Sequence, residues 1–126
     1  MERRKELLEM YKQMKPDMGI FVIQSRQSQK CFLEVSQNVK AKINSTTFQL
    51  NANTHPNKEL QKEWNEYGEA NFDIEVLEKL KYSEDESKTD YREELEILKL
   101  QWEEKMSHDN VSFYRKKWDV SLISSL

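Results

Sequence analysis

The chain has 126 residues, of which 34% are charged and 37% hydrophobic, and a formal net charge of −3. That length fits one domain with a real core and hardly two, and no stretch approaches the roughly 20 apolar residues that a membrane-spanning helix needs. A nucleic-acid binder usually presents a concentrated basic face, because neutralising phosphates drives its affinity. Nothing here reaches that density: residues 18–68 hold six Lys/Arg against four Asp/Glu, and residues 69–106 hold six against thirteen. The acidic half reads first as a solvated helix face.

At the start, Leu7, Leu8, Tyr11 and Met14 recur at helical spacing before Pro16, which predicts an amphipathic helix near 2–14. The charged opening Met1-Glu2-Arg3-Arg4-Lys5-Glu6 has no apolar run behind it, so no signal peptide is expected. Next, "GIFVIQSRQSQKCFLE" at 19–34 reads as two strands around a polar turn that lacks glycine. Ile20, Val22 and Ile23 make the first strand apolar on both faces. Cys31, Leu33 and Val35 alternate with Phe32, Glu34 and Ser36 in the second. Cys31 reads as a small buried hydrophobe rather than a nucleophile. A single cysteine cannot form an internal disulfide and suits a reducing cytoplasm.

Asn38 suits an N-cap before a helix that carries Val39, Ile43, Thr47 and Leu50 on one side. His55-Pro56-Asn57 then opens a helix with Leu60, Trp64 and Tyr67 on its inner stripe, ended by Gly68. Phe72, Ile74 and Val76 alternate with Asp73 and Glu75 as a third strand. After a polar loop, Asp90 with Glu93 offers a capping box for a helix with Tyr91, Leu95, Leu98, Trp102 and Met106 on one stripe. Val111, Tyr114, Trp118 and Leu122 also fall at helical spacing. The expectation is an α+β fold: a small three-stranded, mainly antiparallel sheet flanked by helices. An extra N-terminal helix occupies 1–16, the main domain 17–106, and a docked C-terminal helical tail 107–126.

This order of elements, with "GIF" at 19–21 and "FLE" at 32–34, resembles the GIY-YIG nuclease family. Phe21 and Phe32 keep the spacing of that family's two motif tyrosines. The stretch "HPNKELQKEWNEYGEANFDIEVLE" at 55–78 is the most specific part of the match, and it is similar to small bacterial members. The resemblance covers roughly residues 17–106. It implies metal-assisted hydrolysis of a phosphodiester bond, with two tyrosines handling the proton, an arginine steadying charge and a glutamate holding a divalent cation.

Carried over residue by residue, those roles thin out. Gly19 matches the family's glycine. The two tyrosines fall on Phe21 and Phe32, rings without hydroxyls, and a glycine falls on Glu34. The arginine falls on Lys42, a charge without the planar fork, and a common histidine falls on Thr46. His55 matches a variable histidine. The metal glutamate falls on Lys99 when Trp102 and Lys105 are aligned, and on Glu96 under a three-residue shift.

Plainer roles fit the same residues: core aromatics for Phe21 and Phe32, solvated side chains for Lys42 and Glu96, a capping or surface histidine for His55. The reading that follows is a cytoplasmic, catalytically inactive protein of this nuclease fold, serving as a binding or structural module. Its expected contacts are a protein partner or a second copy through the tail, and no membrane. Two alternatives stay open. One is a DNA-binding protein without cleavage. The other is a weak endonuclease that uses Lys42, His55 and Glu96 in a shifted site, the one case that calls for Mg²⁺ or Mn²⁺.

Overall fold

A computed structural model describes Arg3 and residues 15–115. The expected helix over 2–14 and the tail positions Trp118 and Leu122 lie outside the described residues. The element order is β1 (Met18–Ser25), β2 (Cys31–Ser36), α1 (Val39–Asn51), α2 (Lys58–Tyr67), a short 3-10 turn (Glu69–Asn71), β3 (Phe72–Leu80) and α3 (Arg92–His108). All three strands fall where the apolar alternation put them.

The sheet runs β2-β1-β3, with β1 antiparallel to both neighbours. A central strand is covered on both faces, which is why β1 has no polar side chain from Met18 to Ile23. Alternation then sorts the residues. Met18, Ile20, Val22, Cys31 and Leu33 pack against Tyr91, Leu95 and Leu98 of the α3 side. Phe21 and Ile23 point the other way, into a core with Val39, Leu50, Leu60, Trp64 and Phe72. The molecule is thus three layers: α3, the sheet, and the α1–α2 pair.

Local chemistry sets the connections. The hairpin turn closes without glycine, because Gln29 takes the left-handed region (φ 63°) and the Ser25 hydroxyl accepts the Gln27 and Ser28 amides, each at 3.1 Å. Asn38 caps α1 by accepting the Ala41 amide at 3.1 Å. α2 starts later than His55: Asn57 is its N-cap, accepting the Leu60 amide at 3.0 Å. Gly68 ends α2 with φ 85°, where a side chain would be strained. The expected capping box at Asp90 does not form. Tyr91 is the N-cap and makes no side-chain cap bond, while Asp90 accepts from the amide and guanidinium of Arg92.

Beyond α3 the chain is extended over 111–115, not helical as the spacing of Val111 and Tyr114 suggested. The Cys31 amide donates to the Ser112 carbonyl at 2.9 Å, and the Tyr114 amide donates to the Cys31 carbonyl at 3.0 Å. Phe113 and Cys31 form a parallel bridge, so this strap lies along the outer edge of β2. Tyr114 itself inserts into the α1–α2 side of the core.

Candidate functional site

Gly19 sits in the middle of the sheet, opposite Ser36 on one side and Lys79 on the other. A Cβ there would lie 2.1 Å from the Glu78 carbonyl oxygen and 2.9 Å from the Lys79 Cα. Glycine is required because β3 shifts register beside Ile20 and Phe21 and its backbone closes on this point.

Two residues along β1, Phe21 pairs with Glu34, and Ile23 with Phe32. Phe21, Phe32 and Glu34 therefore share the sheet face that α1 and α2 cover. Phe21 has no exposed surface. Phe32 is half-buried and meets the His55 ring edge-on, with centroids 5.3 Å apart. α1 brings two more residues to this face: Thr46, fully buried, and Lys42, half-buried. Lys42 is close enough to His55 for its charge to act on the ring.

His55 is buried rather than on the surface. Its amide donates to Gln61 Oε1 at 3.0 Å, while Gln61 Nε2 donates to the Leu50 carbonyl at 2.9 Å and to Asn65 Oδ1 at 3.0 Å. Gln61 thereby fixes the α1–α2 connection. The His55 Nδ1 accepts the Asn57 amide at 3.0 Å, so the neutral ring carries its proton on Nε2. Burial lowers the His55 pKa, the Asn57 hydrogen bond opposes that shift, and Lys42 adds to it. The ring is held as a neutral donor.

α3 lies on the opposite face of the sheet from Phe21. Glu96 is exposed there. Lys99 is half-buried and lines a small cleft of about 90 Å³ with Phe32, Glu103, Phe113 and Tyr114 at the edge of β2. Of the two alignments, then, one puts an ammonium beside the second ring and the other puts a carboxylate in solvent. A hard divalent cation wants several oxygen ligands converging. This cleft offers one carboxylate, Glu103, next to Lys99, and among the described residues no group of three or more His, Cys, Asp or Glu stands together. The residues present do not fit such an ion.

Sequence reasoning missed the polar cluster under the strap. Ser25 and Glu63 are buried, the Ser28 hydroxyl donates to Glu63 Oε2 at 3.1 Å, and the Tyr114 hydroxyl is enclosed beside Glu63, Ser28 and Ser25, near them but with no well-formed hydrogen bond among the described residues. Burial first, and Glu63 second, push the Tyr114 phenol well above its usual range. Glu63 falls three residues after Leu60 on the inner stripe of α2, so the spacing carried that signal.

The fold has counterparts among solved proteins. The catalytic domain of homing endonuclease I-TevI superposes with a TM-score of 0.58 at 18% identity, over 79% of this chain and 99% of that one. The fold is that of the GIY-YIG nuclease domain. A point mutant of the catalytic domain of intron endonuclease I-TevI also matches, with a TM-score of 0.48 and 22% identity over 55% of this chain and 70% of that one. No family model matches the GIY-YIG-like chain, and no curated protein matches it significantly.

Proposed function

We propose that this chain is a nuclease-fold module that works by binding and does not cleave phosphodiester bonds. One observation carries the reading: both positions where the fold would place its proton-handling tyrosines carry bare rings, with no hydroxyl at either. Phe21 is sealed in the core, Phe32 is a bare ring, and the Nδ1 lone pair of His55 is engaged by Asn57. A positioned acid or base typically contributes about 10²- to 10⁴-fold to a rate, and groups that act as one unit fail together. The supercoiled-plasmid nicking assay with Mg²⁺ or Mn²⁺ should stay blank. Metal-dependent nicking by the purified chain that disappears on Lys42→Ala or Glu96→Ala would overturn the reading.

A second reading is DNA binding without cleavage. Lys42 and the Nε2–H of His55 are both donors on the same face, and two such donors suit a phosphate. Duplex binding titrated against salt separates the two. Phosphate contacts give an affinity that falls steeply as salt rises, whereas a protein-binding module gives no saturable DNA binding.

A further inference from the structure

α3 is two-sided. Its inner stripe, Leu95, Leu98 and Trp102, packs on the sheet. Half a turn round the helix lies a second stripe, Glu93, Ile97, Leu100 and Glu104, spaced i, i+4, i+7 and i+11, so all four share one face. Ile97 is 50% exposed and Leu100 61%, and both glutamates are exposed. Neither glutamate has an ion pair among the described residues. A helix that shows apolar residues at this spacing, framed by one sign of charge, has the form of a helix that lies in a groove.

The same chain carries a groove of matching character. On the far face of the sheet a cleft of about 670 Å³ runs between α1 and β3, with Ile43 and Val76 in its wall and Lys15, Lys40 and Lys79 around it. Among the described residues Asp17 is its one carboxylate, and it is paired with Lys79 at 3.2 Å. Val76 is 43% exposed, and Phe48, two turns after Lys40 on α1, is 72% exposed. This is a different flank of α1 from the one that bears Lys42, so the cleft is separate from the His55 site.

We propose that the acidic, apolar face of α3 docks into the lysine-rimmed cleft of a second copy of this chain. Two copies of the α3 face would repel one another, so charge selects the cleft as the partner. Stripe and cleft are on opposite faces of the sheet. The contact is therefore head-to-tail, and it extends to further copies instead of closing as a two-fold dimer.

The test is sedimentation of the full chain over a range of concentrations, at low and high salt. The expected result at low salt is a mass that climbs past that of a dimer and falls back toward one 15.2 kDa chain as salt rises. Ile97→Ser with Leu100→Ser, both at exposed positions, should abolish the climb. Two charge reversals give the decisive arm. Lys40→Glu/Lys79→Glu makes cleft and stripe both acidic, and Glu93→Lys/Glu104→Lys makes both basic, so each protein alone should stay monomeric. Mixed, they should associate again, which mere misfolding of either variant could not produce. A monomer at every concentration, a mass that stops at a dimer, or a mixture that remains monomeric would each overturn the proposal.

Discussion

Gly19 shows what one hydrogen atom in place of a methyl group permits. With backbone atoms 2.1 and 2.9 Å from the site of a Cβ, Gly19→Ala must push β3 away from β1. Overpacking of this kind costs about 1–3 kcal/mol, and urea unfolding should show a loss in that range. His55 gives a pH prediction. Burial lowers its folded pKa below the ordinary 6.5, so the unfolded chain binds the extra proton more readily. Its contribution to stability is complete above pH 6.5 and is lost as the pH falls from there toward the folded pKa. Thermal melts should show midpoints that drop over that window, and His55→Gln should flatten the drop. Tyr114 behaves differently. Its hydroxyl is buried with no well-formed hydrogen bond among the described residues, and removing such a group spares its desolvation. Tyr114→Phe is expected to leave stability unchanged or to raise it, while Tyr114→Ala should cost about 3–5 kcal/mol.

At the level of elements, the three helix N-caps are of two kinds. Asn38 and Asn57 each close a bond to an orphan amide, and replacing either with Ala should cost about 1 kcal/mol of stability. α3 has no such bond at Tyr91, so Tyr91 contributes by packing in the core instead. The strands were legible in the sequence because apolar alternation is a local signal and the core reads it directly. The strap was not. Val111 and Tyr114 fit a helical period, while Val111 and Phe113 fit an extended one, and the outcome depends on the amide and carbonyl of Cys31, far away in sequence. The candidate site shows the same division. The resemblance singled out Phe21, Phe32, Lys42 and His55, and it is the fold that brings them to one face. The burial of His55 and its tautomer depend on Gln61 and Asn57, whose roles exist only once α1 and α2 have met.

For the whole molecule, the three layers share β1, so the two cores cannot melt independently. The strap joins both: Val111 and Phe113 lie against the α3 side, and Tyr114 enters the other. Removing residues 111–126 withdraws the Tyr114 side chain from the core, a loss of about 3 kcal/mol or more by analogy with truncating a buried aromatic. At roughly 4 °C per kcal/mol for a domain of this size, calorimetry should find the melting temperature lowered by about 10 °C in one cooperative transition.

The strap also sets an order of events during synthesis. A ribosome delivers β1 and β2 early, yet the segment that covers the β2 edge at Cys31 is among the last described residues to emerge. Until then the nascent chain presents an unpaired strand edge beside a buried-type cysteine and a half-finished core, the kind of surface that recruits other strands. Chains released early, or cut before Ser112, are therefore expected to aggregate on translation, whereas a chain that carries the strap seals that edge as soon as Ser112, Phe113 and Tyr114 leave the exit tunnel.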